Sequence, residues 1–191
     1  LYQTNQYELA DWVRENVKFP SCMVDRITPR TTDIVRREVE ELFPSWGNSA
    51  IQSEEYTQWV IEDKFASDFP DLSQVGAIIT NDIEPYEETK IRILNGGHTS
   101  LAYLGALSGY DTFDQVMNDT AHRKHFRMLQ EEEIIPSLDI DLPFDVYEYI
   151  DKVEERISSE TNLDDLDRIC MDGFTKFHTF VVPSIRKCLE Q

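Results

Sequence analysis

Apolar positions recur with a helical period at both ends of the chain and with a strand-like period between them. In YELADWVRENV, residues 7 to 17, Leu9, Trp12, Val13 and Val17 fall near one face, which predicts an amphipathic helix. The stretch PSCMVDRITPR, bounded by Pro20 and Pro29, predicts a short strand or extended piece, because the residue before a proline avoids helix. Thr31 or Thr32 is placed to cap a helix through VRREVEELF that ends before Pro44. YTQWVIED and VGAIIT, rich in β-branched and aromatic residues, predict two more strands. From Pro85 onward the pattern is helical. The expected organisation is mixed α/β over 1–80 and mainly α over 81–191.

The helix expected from Pro85 to Tyr110 carries the chemistry. Glu84, Glu87 and Glu88 suit the positive end of a helix dipole, Pro85 suits a first turn, and Gly109 is a plausible stop. With Lys90 at 0° and about 100° per residue, Leu94 lies near 40°, His98 near 80°, Ile91 near 100° and Asn95 near 140°. Leu101 and Ala102 share that sector, so a Lys, an Asn and a His interleave with apolar residues on a face that should be buried. Buried polar groups need partners. A purely structural reading lets Lys90 snorkel outward while Asn95 and His98 bond neighbouring helices. Gly96 and Gly97 weigh against it, since each costs about 1 kcal/mol relative to Ala inside a helix and marks close approach by a ligand or another backbone. A desolvated lysine can act as a base, an amide can hold a developing alkoxide and an imidazole can orient a second hydroxyl.

Composition narrows the partners. The 191 residues hold 37 acidic against 18 basic side chains, a formal net charge of −19, which argues against nucleic acid and against an anionic membrane surface. No apolar run approaches the roughly 20 residues that span a bilayer, and no signal peptide opens the chain. Three widely spaced cysteines, Cys22, Cys170 and Cys188, suggest no disulfide framework and fit reducing, cytoplasmic surroundings. His122 and His125 in HRKH form the only metal-like spacing, short of the four ligands of a structural zinc site. Glu131 to Glu133 read as a solvated helix edge.

The pattern Lys90-x4-Asn95-x2-His98 resembles the signature of the polyol-specific long-chain dehydrogenases, with mannitol 2-dehydrogenases, arabinitol dehydrogenases and fructuronate and tagaturonate reductases among them. FPSCMVDRITP, QWVIEDKF, EEEIIPSL and MDGFTKFHTFVVPSIR extend the likeness over most of the chain. The resemblance implies that 1–80 is the end of a Rossmann-type nucleotide-binding domain or an inter-domain region, and that 81–191 is a helical substrate-binding domain cut short at its C-terminus. It implies Lys90 as general base, Asn95 as oxyanion stabiliser and Glu87 as a proton relay. It implies His98, Arg168 and Lys176 as substrate-binding groups and Asp25 as a position near the cofactor. Arg168 and Lys176 would share a helical face if the helix ran through Gly173; without the resemblance they read as surface charges, and Asp25 as a salt-bridge partner of Arg26 or Arg30. The implied cofactor is NAD or NADP with no metal, lysine taking the place of a zinc Lewis acid.

No GxGxxG occurs, so the cofactor is expected to sit mainly on a domain outside this chain. Helix-like text begins almost at Leu1, and the family's chains continue past VVPSIRKCLEQ; the expectation is a piece cut at both ends, inactive alone, from a monomeric parent. The implied reaction interconverts a polyol and a ketose, mannitol and fructose first. A hexuronate reductase is the rival, sugar phosphate a third choice, and an acidic helical interaction module the reading from another class.

Overall fold

The computed structural model describes residues 2–161 and 164–190; Leu1, from which the expectation of a cut chain was drawn, and Gln191 lie outside them. Helix α1, Tyr7–Asn16, forms as its periodicity predicts, yet Ala10 is its buried residue while Leu9 and Trp12 are 48% and 56% exposed. The apolar face of α1 is therefore not a core face among the described residues. Thr32 caps α2, Asp33–Leu42, its hydroxyl accepting from the Val35 N–H.

Strands β1 (Cys22–Asp25), β2 (Gln58–Glu62) and β3 (Ile78–Thr80) form a three-stranded sheet in that order. β1 runs antiparallel to β2 with Met23 opposite Val60, and β3 runs parallel to β2 with Ile78 opposite Val60. Alternation along β1 buries Met23 and Asp25 and turns Cys22 and Val24 outward. Met23, Val60 and Ile83 make a small core beneath the sheet.

The helical part is built round one long element. α3 (Glu84–Thr89), a π-helical segment (Lys90–Gly96) and α4 (Gly97–Leu107) follow without a break, Pro85 sits in the first turn, and Gly109 ends the element at φ +85°. Packed against it are α5 (Phe113–Asn118), then α6 (Thr120–Met128), which runs through a second π segment (Leu129–Ile134) into α7 (Ile135–Ser137). α8 (Val146–Ile157), α9 (Leu166–Cys170) and α10 (Gly173–Lys176) follow, then a third π segment (Phe177–Val181) and α11 (Val182–Glu190). Ile93, Leu101, Phe113, Phe126, Ile150, Val153 and Leu166 form the main core. Each such side chain removed from water contributes about 1.5–3 kcal/mol. Asp119, Asp145 and Asp165 cap α6, α8 and α9 through backbone N–H groups, which places part of the acidic excess where helix dipoles favour it. The architecture is mainly α with a small sheet near its beginning.

Gly96 and Gly97, two of the three glycines of the long helix, are explained by packing. A Cβ on Gly96 would lie 2.8 Å from the Phe180 carbonyl oxygen, and one on Gly97 would lie 2.1 Å from Gln130 Nε2. Gln130, fully buried, donates to the Ile93 carbonyl at 3.0 Å and so enters the helix ladder where its winding is widened.

Candidate active site

The wheel drawn at α-helical pitch needs correction from Lys90 to Gly96. In a π segment the backbone bonds run i to i+5, so Lys90 and Asn95 stack nearly one above the other rather than lying far apart round the helix. Lys90 is half-buried and its Nζ donates to the Val24 carbonyl of β1 at 2.9 Å, which holds the amine against the sheet instead of letting it snorkel. Asn95 is half-buried, and its amide makes no hydrogen bond to the described residues. Glu87, half-buried on α3, lies one turn before Lys90.

His98 opens α4 with its ring edge-on to Phe113, centroids 4.1 Å apart. The residue keeps partial exposure, but Nε2 is buried without a partner. Burial pushes the imidazole pKa down to about 4; Asp164 opposes that shift, and Arg168, Lys176 and Arg156 add to it. His98 is thus neutral at physiological pH and within electrostatic reach of both expected substrate cations.

Those cations do not share one helix. α9 ends at Cys170, Met171 is extended, and Asp172 takes φ +57° before α10 starts at Gly173. Lys176 returns to α9 by donating Nζ to the Ile169 carbonyl at 2.8 Å. Arg168 forks onto Asp164, its Nε 2.8 Å from Oδ1.

Asp25 is 1% exposed, and its partner is neither Arg26 nor Arg30. Arg156 on α8 holds both of its oxygens, the Tyr149 hydroxyl adds a long contact of 3.4 Å, and Glu54 shares the same guanidinium. Its carboxylate is fully engaged in joining sheet to helices, so a contact from that carboxylate to a cofactor would have to displace Arg156. Arg92, buried on the π segment, is another structural cation, donating to Ser184, Ser137 and Glu88. Sequence reasoning missed Arg92, Arg156, Glu54 and Asp164. The four-residue spacings of Glu88 to Arg92 and of Asp164 to Arg168 were the visible signals.

Two other features stand apart. A cavity of about 320 Å³ is lined by Gly96, Leu129, Phe180, Ile185 and Leu189 and includes none of Lys90, Asn95, His98, Arg168 or Lys176. His122 binds Asp119 through Nδ1 at 2.9 Å and Ser108 through Nε2 at 3.2 Å. That series imitates a hydrolytic triad, but the Ser108 hydroxyl donates to Leu104 O, and the Ser108, Gly109 and Tyr110 N–H groups are spent on preceding carbonyls. It ties one helix end to another. Among the described residues no group of three or more His, Cys, Asp or Glu is placed to hold a metal ion. No helix among them is long and apolar enough to cross a membrane.

With Lys90, Asn95 and His98 on one element, comparison with known proteins becomes specific. Residues 82–191 match the family model described as the mannitol dehydrogenase C-terminal domain, and residues 1–74 match the mannitol dehydrogenase Rossmann domain. The chain belongs to the mannitol dehydrogenase family. It is 38% identical over 184 residues to a mannitol dehydrogenase of Saccharomyces cerevisiae, covering 96% of this chain and 37% of that one. It is 39% identical over 180 residues to a D-arabinitol 4-dehydrogenase of Ralstonia nicotianae, covering 94% and 38%. The Pseudomonas fluorescens mannitol 2-dehydrogenase, solved as a ternary complex with NAD and D-mannitol, superposes with a TM-score of 0.86 at 36% identity. That match covers 99% of this chain and 38% of the other. A D-sorbitol dehydrogenase in substrate-free form superposes with a TM-score of 0.89 at 31% identity, covering 99% and 39%. The chain spans less than two-fifths of the length of these family members.

Proposed function

We propose that this chain supplies the substrate side and the general base of an NAD(P)-dependent oxidoreductase that interconverts a polyol and a ketose, mannitol and fructose first. The supporting observation is the single helix that carries Lys90 and Asn95 about one turn apart on a π segment and His98 one turn further on, within electrostatic reach of Arg168 and Lys176. Family membership and likeness to a structure named as a complex with NAD and D-mannitol support the same reading. Residues 1–80 would frame the site through β1, and residues 81–191 would carry the reacting groups.

A nicotinamide supplies the hydride acceptor or donor when bound. The described residues offer no glycine-rich strand–turn–helix for its pyrophosphate, and the Asp25 carboxylate is already engaged. What this chain contributes is proton handling and orientation. Lys90 Nζ takes the proton of the substrate hydroxyl, and the Val24 carbonyl fixes its position. The Asn95 amide donates to the oxygen that gains negative charge. Glu87, one turn before Lys90, passes the proton toward solvent. His98, neutral, orients a second hydroxyl, and Arg168 and Lys176 hold the far end of the sugar chain.

The test follows nicotinamide absorbance in the full polypeptide that carries this chain, with mannitol, fructose, mannonate and fructuronate, beside a Lys90→Ala variant. Activity on one pair that falls by about 10²–10⁴-fold in the variant supports the assignment. Activity untouched by the loss of Lys90 would sink it.

A further inference from the structure

Among the described residues, the buried polar atoms without a hydrogen-bond partner include His98 Nε2 and Asp164 Oδ2, and these two belong to one neighbourhood. The Asp164 carbonyl accepts from the Phe113 N–H at 3.0 Å, and the Phe113 ring lies against His98. The Asp164 side chain is only 6% exposed. Its other oxygen, Oδ1, takes both Nε and Nη2 of Arg168. The guanidinium that would otherwise be free to grip a substrate carboxylate therefore reaches the site already neutralised. Lys176 is occupied too, its ammonium donating to the Ile169 carbonyl. From Asp164 to Lys176 the chain carries four aspartates against those two cations, so no surplus positive charge stands at this end of the site.

We propose that Asp164 is a specificity-determining residue that, acting through Arg168, makes the site select uncharged polyols and ketoses over sugar acids. This rests on Arg168 and Lys176 being substrate-binding groups. A sugar carboxylate beside Arg168 would meet a cation whose charge is cancelled and a carboxylate with one oxygen still lacking a donor. That arrangement sets acceptor against acceptor and like charge against like. A terminal hydroxyl carries no charge and accepts from the Arg168 N–H groups that Asp164 leaves free. Asp164 Oδ2 is shielded from solvent, so its influence reaches the substrate as charge and through the orientation of Arg168 rather than by direct contact.

The experiment is a calorimetric titration of D-mannitol and D-mannonate into the full polypeptide that carries this chain, wild type and Asp164→Asn, with nicotinamide cofactor present. The wild type is expected to hold mannitol at least about tenfold more tightly than mannonate, and Asp164→Asn to shrink that ratio about tenfold by releasing Arg168. Mannonate bound as tightly as mannitol by the wild type overturns the proposal, and that arm stands even where the variant fails to fold. A ratio unchanged in a folded Asp164→Asn protein overturns it equally. Binding of neither ligand removes Arg168 and Lys176 as substrate groups and takes the proposal with them. A failure confined to the ratio leaves the oxidoreductase reading intact. Absence of turnover on every substrate pair, with mannitol still outbinding mannonate, sinks the oxidoreductase reading alone.

Discussion

Arg156 on α8 donates to both carboxylate oxygens of Asp25 at the end of β1, at 2.9 and 2.7 Å, across 131 residues of sequence. The guanidinium also donates to Glu54 at 3.0 and 2.8 Å and lies 3.9 Å from the centre of the Tyr56 ring. With Arg156 7% and Asp25 1% exposed, this is a buried ion cluster in which every partner depends on the others. It joins the sheet to the helices next to Val24, whose carbonyl holds Lys90.

Removing one member should therefore cost far more than a surface pair would. Arg156→Ala leaves two buried carboxylates without their cation and should destabilise the fold by about 3–5 kcal/mol, read from the midpoint of urea unfolding. A loss below about 1 kcal/mol, the value of an exposed pair, would show that the cluster is not buried in solution.

Asn95→Ala separates function from stability in the opposite way. The amide makes no hydrogen bond to the described residues, so the thermal midpoint should hardly move. Turnover in the full polypeptide should fall by about 10²–10³-fold, the usual cost of one oxyanion donor. A large drop in the midpoint with little change in rate would make Asn95 a structural residue.

At Gly97 two effects oppose one another. Alanine gains about 1 kcal/mol of helix propensity, but its methyl would stand 2.1 Å from Gln130 Nε2 and 2.9 Å from the Phe126 ring. Both neighbours are fully buried, and Gln130 is tied to the Ile93 carbonyl, so the clash should win. Gly97→Ala is expected to destabilise by about 1–3 kcal/mol. Calorimetry would check this, a gain in midpoint counting against it.

Acid should weaken the fold through His98. Its pKa falls from 6.5 in the unfolded chain to about 4 in the folded one, so between those values the unfolded state binds the extra proton. The stability this provides is complete above about pH 6.5 and is lost as the pH falls through about 4; for a single group the limit is about 3 kcal/mol. His98→Gln should flatten the stability profile between pH 4 and 6.5 relative to wild type. Identical slopes would place the ring in water.

Helix α2 with its Thr32 cap, strands β1 to β3, and the helix entered at Pro85 and ended at Gly109 were all legible, because each depends on side-chain period and terminal chemistry within a few residues. The side-chain period of that helix also singled out Lys90, Asn95 and His98 as candidates. Their relative orientation was not legible. It follows from the π winding, which accompanies close packing of Gly96 against Phe180 and of Gly97 against Gln130, contacts between segments far apart in sequence.

The apolar stripe of α1 shows the limit from the other side. Its period predicted the helix correctly but not burial, since a stripe is covered only if another element lies against it, and Leu9 and Trp12 remain about half exposed. Local sequence thus determined the helices, the strands and the identity of the candidate side chains Lys90, Asn95 and His98. Only tertiary structure decided that Asp25 belongs to Arg156, that Lys90 rests on Val24, and that Arg168 and Lys176, on either side of a broken helix, lie within electrostatic reach of His98. Those pairings depend on burial and charge brought together through space, where a partner 66 or 131 residues away leaves no local pattern in the chain.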